Sequence, residues 1–168
     1  MVSAVRKNNV SLVTEDLTES NLSIVAKLWI NSFEYHKPLD PQYYRNCNSD
    51  LQGDIINSLR QFLTETSSSR QIKLAVYGEK IAGFIIYSIQ STFDFDQNPE
   101  SYGSIQELYV SSDFRSRGVG TFLMKIAREW IHSQGIKLIR IQAAFDNEQA
   151  IKFYQSQGFQ IRQAILSN

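Results

Sequence analysis

Cysteine, histidine and proline are all scarce in this chain, which has one Cys, two His and three Pro among 168 residues. A lone Cys47 excludes an internal disulfide. With His36 and His132 far apart there is no metal-ligand spacing, so no metal is expected. Cysteine poverty of this kind fits a reducing compartment, and a cytoplasmic location is expected. Charge of one sign is lacking too: 17 basic residues offset 17 acidic ones. No overall field then draws the protein to nucleic acid or to an anionic membrane, and neither partner is expected. Nor is there a long apolar run after the two cations within Met1 to Asn9, so neither a signal peptide nor a spanning helix is expected. What remains is a globular composition, 42% hydrophobic and 20% charged. Ten phenylalanines with Trp29 and Trp130 supply bulky core material. That suffices for one hydrophobic core, and a single domain over 1–168 is expected.

Periodicity divides the chain into strands and helices. Asn9 to Thr14 alternates as a first strand. After Thr18, a good helix cap, Leu22, Val25, Ala26, Trp29 and Phe33 recur at helical spacing, with a stop expected near Pro38. The segment from Glu34 to Asp50 reads as an aromatic-containing loop. Leu51, Ile55, Leu59, Phe62 and Leu63 mark a second helix. Ile72 to Tyr77 and Ile81 to Ile89 flank Gly78, Glu79 and Lys80 as a β-hairpin. A loop from Ser91 to Tyr102 leads to a strand at Ile105 to Val110. Val119, Phe122, Leu123, Ile126, Ala127, Trp130 and Ile131 then form the stripe of a long helix that Gly135 ends. Leu138 to Ala143 reads as a strand, Ala150 to Tyr154 as a helix stopped by Gly158, and Phe159 to Leu166 as a last strand. The whole is a mixed α/β domain built on one sheet.

The segment RSRGVG, from Arg115 to Gly120, lies between a strand and the head of the long helix. Gly118 and Gly120 let backbone approach a ligand closely, and the N–H groups of a first helical turn favour an anion. Arg115 and Arg117 can add charge-assisted bonds to a pyrophosphate. The plainer alternative is a tight turn with solvated arginines. A Rossmann fingerprint would need glycine where Leu123 stands, and a P-loop would need a glycine at Asp113 and a lysine that is missing, so neither motif is met.

RSRGVG instead resembles the coenzyme A loop of the GNAT N-acetyltransferase superfamily, whose pattern of Gln or Arg, two residues, Gly, one residue, Gly or Ala is met by Arg115, Gly118 and Gly120. ELYV at Glu107 to Val110 looks like that family's preceding strand. NEQAIKFYQSQGF at Asn147 to Phe159 looks like its final helix and turn. The three pieces stand in register over about the last 65 residues, a core over 104–166, while 9–70 matches only in its order of elements and would form the acceptor side. The resemblance implies a central mixed, mostly antiparallel sheet of six to seven strands flanked by about four helices, splayed at strands 4 and 5. It implies acetyl-CoA as co-substrate, with pantetheine along Leu108, Tyr109 and Val110, and pyrophosphate at Arg115, Ser116, Arg117, Gly118, Val119, Gly120 and Thr121. Asn147 and Phe153 would also contact the coenzyme. A homodimer is compatible with the same likeness.

By the same carry-over Tyr154 is the general acid that meets the departing thiolate, as a phenol of pKa about 10 can do. Spacing alone reads Tyr154 as one more core aromatic and Asn147 as a helix cap. Glu107 is the candidate base that takes a proton from the acceptor ammonium. Strand alternation and a bulge frequent in this family leave its facing open, with a surface carboxylate as the alternative. Asp94, Asp96 and Glu100 with Phe93, Phe95 and Tyr102, and Glu34, Tyr35, His36, Asp40, Tyr43 and Tyr44, offer chemistry for a cationic acceptor. The expected activity is acetyl transfer by direct attack to a primary amine of a small molecule or peptide. A module that binds acyl-CoA without turnover is the alternative.

Overall fold

The computed structural model describes residues 11–41, 50–65, 69–91 and 101–162. In chain order they form β1 (Leu12–Asp16), α1 (Leu22–His36), α2 (Leu51–Thr64), β2 (Arg70–Tyr77), β3 (Lys80–Ser91), β4 (Ser101–Val110), a single turn at Ser112–Phe114, α3 (Val119–Ser133), β5 (Ile139–Ile141) and α4 (Glu148–Ser156). The strands lie in the order β1-β2-β3-β4-β5, antiparallel through β4 and parallel between β4 and β5. A parallel pair needs a crossover, and α3 supplies it.

Residues pointing to opposite faces of the central strands build two cores. On one face Leu74, Phe84 and Ile86 pack with Val25, Ala26 and Leu59 of α1 and α2. On the other, Ala75, Ile85, Tyr87 and Ile105 pack with Leu123, Met124, Ala127 and Ile131 of α3. The α3 stripe is fully buried at Leu123, Met124 and Ile131, and each such side chain contributes roughly 2 kcal/mol through removal from water.

Several expectations shift. Thr18 does not cap the first helix: the helix starts at Leu22 after Asn21, whose Oδ1 instead accepts the Thr18 N–H at 2.8 Å. Asn9 and Val10 lie outside the described residues, and the first strand runs to Asp16. Five strands are found among the described residues rather than six to seven. Residues 159–162 are not strand, and 163–168 lie outside the description. Phe159 is engaged otherwise, with the Arg128 guanidinium 5.0 Å from its ring centroid. Cys47, Tyr43 and Tyr44, and the acidic cluster Asp94, Asp96 and Glu100, also fall outside the described residues, as do Phe93 and Phe95. No helix among the described residues is long and apolar enough to cross a membrane.

The β3–β4 pair is tightest at Gly83, where a Cβ would lie 2.4 Å from the Tyr109 carbonyl oxygen. Because backbone cannot retreat as a flexible side chain can, Gly83→Ala is expected to cost about 2 kcal/mol or more. Urea unfolding monitored by tryptophan fluorescence checks this, and an unchanged midpoint would contradict it.

Candidate active site

The direction of Glu107 is set by a fault in the β-ladder. Ile86 pairs with Glu107 but Tyr87 pairs with Ile105, so Gln106 is the extra residue of a bulge in β4. Strict alternation would put Glu107 on the face of Ile105, under α3. With Gln106 inserted, Ile105, Leu108 and Val110 pack on the α3 side, while Tyr109 joins the core under α1 and α2. Glu107 shares that second face, where its Oε1 accepts a hydrogen bond from Ser32 Oγ at 2.6 Å. Burial raises the Glu107 pKa above the usual carboxylate value, and the Ser32 hydrogen bond and the charge of His36 partly oppose that rise.

A second fault opens the sheet beside this carboxyl. β5 pairs with β4 only at Gly103, Ser104 and Ile105. Among the described residues no strand pairs with that edge of β4 from Gln106 to Val110. On the far side of the gap stands α4, started by Asn147, whose side chain accepts the Ala150 N–H at 3.1 Å and is 3% exposed. Tyr154 on α4 is close enough to Glu107 for the carboxylate to act on it. Burial first, and that negative charge second, push its phenol well above the ordinary value and hold it protonated. Phe153 turns the other way, into the α3 core.

At the mouth of the gap, RSRGVG makes a left-handed turn into α3. Ser116 has φ of 58° and Gly118 φ of 83°, and Gly118 is the N-cap residue. No side chain caps this helix. Its first-turn N–H groups, from Val119 to Thr121, are accordingly available to an anion. Gly120 has a structural use as well: a Cβ there would lie 3.2 Å from Phe153 Cζ, so its bareness lets α4 seat against α3. Arg115 folds back, with Nε donating to the Val110 carbonyl at 3.1 Å and the guanidinium 4.6 Å from the Tyr35 ring centroid. Arg117 lies 5.8 Å from the Tyr77 ring centroid.

Of the residues singled out from sequence, Glu107 and Tyr154 stand within electrostatic reach of one another, the turn at 115–121 is tied to Val110 through Arg115, and Asn147 starts the helix that carries Tyr154. Phe153 packs against the α3 core. His132 is exposed on the opposite end of α3 and takes no part. Sequence reasoning missed Ser32, which is 1% exposed, and Gln149, whose Oε1 accepts the Tyr35 hydroxyl at 3.1 Å. The available signal for Ser32 was its place four residues after Leu28 and four before His36. Among the described residues no group of three or more His, Cys, Asp or Glu could hold a metal.

Comparison with known proteins gives the same frame. The model of the acetyltransferase (GNAT) family matches residues 27–159. An uncharacterized N-acetyltransferase of Methanocaldococcus jannaschii is 34% identical over 61 residues, 36% of this chain and 27% of that protein. The match thus spans only about a quarter of that curated relative's length. The fold is shared with the aminoglycoside 6'-N-acetyltransferase AAC(6')-Ig of Acinetobacter haemolyticus, with a TM-score of 0.72 and 19% identity over 93% of this chain and 96% of that one. It is shared also with AAC(6')-Iy in complex with the bisubstrate analogue CoA-S-monomethyl-acetylneamine, with a TM-score of 0.70 and 16% identity over 94% and 97% of the two chains.

The Asn147 cap gives a stability test. Asn147→Ala is expected to cost about 1 kcal/mol, and Asn147→Ser, which keeps a capping oxygen, much less. Equal losses in the two variants on chemical denaturation would contradict a capping role.

Proposed function

Because the chain belongs to the GNAT acetyltransferase family, we propose that it transfers the acetyl group of acetyl-CoA to a primary amine of a small molecule or peptide, by direct attack within a ternary complex. The observation that carries this reading is the convergence of a desolvated carboxyl, Glu107, and a protonated phenol, Tyr154, on the gap between β4 and α4. The residues present fit the coenzyme. An anion-seeking helix head without a side-chain cap stands at the mouth, suited to the pyrophosphate. The unpaired edge of β4 offers backbone groups of Leu108 and Val110 to the pantetheine amides, while those of Tyr109 face β3. The Asn147 amide can donate to the same arm while its oxygen stays on Ala150. Arg115 serves by shaping the turn from within, and Arg117 supplies charge nearer the surface.

The acceptor enters from the α1 side, where Glu107 faces. Its ammonium gives a proton to the Glu107 carboxylate, and the neutral nitrogen attacks the thioester carbonyl carbon. As the tetrahedral adduct collapses, the C–S bond breaks and Tyr154 gives its proton to the sulfur. The excess proton still on the nitrogen reloads the Tyr154 phenolate, while the proton on Glu107 passes to solvent. The two upward pKa shifts serve opposite ends of this exchange. A carboxyl raised toward neutrality is a better base, and a phenol raised further stays loaded with its proton. A backbone N–H on the open strand edge can stabilise the oxyanion. The aminoglycoside acetyltransferases of the same fold support an amino sugar as one class of acceptor.

Thiol release from acetyl-CoA with spermidine, glucosamine, neamine and a peptide with a free N-terminus tests the proposal. Turnover with one of these classes is expected. Tight coenzyme binding without turnover on any of them would mean a non-catalytic acyl-CoA module. Tyr154→Phe is expected to lower kcat about a hundredfold with little effect on the KM for acetyl-CoA. In the parent, kcat/KM should rise with pH as the raised Glu107 carboxyl loses its proton. Glu107→Gln should abolish that limb, and a variant retaining both rate and limb would remove Glu107 as the base.

A further inference from the structure

We propose that Ser32 is a positioning residue for acetyl transfer, holding one oxygen of the Glu107 carboxylate so that the other is presented to the acceptor ammonium. The function of the contact rests on the reading of Glu107 as base, whereas the contact itself does not. Ser32 is 1% exposed and is the one polar residue among the buried positions of α1. A buried serine within a helix can return its hydrogen to the carbonyl four residues earlier. This one sends it across to β4 instead, 75 positions away in sequence, at 2.6 Å, the length of a charge-assisted bond. Its single hydrogen is thereby committed to Oε1 of Glu107. Among the described residues no hydrogen bond reaches Oε2.

His36, one turn further along α1, reinforces the arrangement. Its Nδ1 lies 2.8 Å from the Ser32 carbonyl oxygen and 3.3 Å from Ser32 Oγ. Since the hydroxyl hydrogen points to Glu107, both oxygens are acceptors toward this nitrogen, which must carry the proton. Donors then run in one direction, from the imidazole to the hydroxyl to the carboxylate, and each polarises the next toward an ionised Glu107. The groups facing Glu107 are Ser32 and His36 from α1, the Tyr154 phenol from α4, and apolar Ile86 from β3. Arg115 stands farther along, over Tyr109. Burial opposes ionisation, and Ser32 is the hydrogen-bonding counterweight. The bulge at Gln106 is what brings strand and helix into this contact.

Infrared titration of the Glu107 carboxyl, using Glu107→Gln as the blank, reads the contact without substrate. Ser32→Ala is expected to move the midpoint upward by about one pH unit, as loss of a hydrogen bond to a charged group implies. Ser32→Thr, which keeps the hydroxyl, should return it. At a pH below the parent's midpoint the alanine variant should lose about tenfold in kcat/KM for the best amine of the panel, with the same KM for acetyl-CoA. Thermal melting of both variants, and of Ser32→Cys as a size control, excludes unfolding as the cause. An unmoved midpoint in Ser32→Ala, or a shift that Ser32→Thr repeats instead of reversing, overturns the inference. Unimpaired turnover by Glu107→Gln would instead sink only the base assignment.

Discussion

The extra residue in β4 is the constraint on which the rest of this site depends. A strand has two faces, and without an insertion Ile105, Glu107 and Tyr109 would all face the same way. Here Ile105 must fill the α3 core while Tyr109 fills the core under α1 and α2. Both demands are met only by a ladder that slips once between them, at Gln106. The slip carries Glu107 to the α1 face and into contact with Ser32. Packing on both sides holds the register, so the carboxyl is fixed by two hydrophobic cores rather than by a loop.

A second constraint, the shortness of β5, leaves the edge of β4 beyond Ile105 unpaired among the described residues. Were β5 to follow β4 to its end, the backbone from Leu108 to Val110 would be paired and the gap closed. Because pairing stops at Ile105 and Ile141, α4 can lean toward the open edge and bring Tyr154 near Glu107. The turn at 115–118 completes the arrangement. Arg115 anchors it to the Val110 carbonyl and the Tyr35 ring, and the left-handed Gly118 starts α3 with its N–H groups at the mouth of the gap. Tyr35 in turn reaches Gln149 on α4, so α1, the turn and α4 are tied across the same opening.

Much of this was legible in the sequence, and the pattern of what was not has physical reasons. The α3 stripe from Val119 to Ile131 and the hairpin around Gly78 are strong periodic signals, and both elements stand where expected. RSRGVG and NEQAIKFYQSQGF carry their turns in glycines at left-handed angles, Gly118 and Gly158, which no other residue type adopts as readily. The facing of Glu107 was open because SIQELYV is compatible with either parity, and only long-range pairing with Ile86 decides between them. Ser32 gave no signal by its type, since a serine on a helix is ordinarily solvated. Thr18 looked like a cap but lies in the turn before Asn21, where a second local hydrogen bond prevailed. The last expected strand failed over its first four residues, where Phe159 is drawn to Arg128 and Tyr154 instead of a sheet edge.

The central claim is that the open edge of β4 and the head of α3 form one coenzyme site. Backbone amide hydrogen exchange, with and without coenzyme A, measures it most directly. The account predicts added protection concentrated at Leu108 and Val110 and at Gly118 to Thr121. Unchanged exchange at both segments while the coenzyme binds, or protection confined to another part of the sheet, would contradict it.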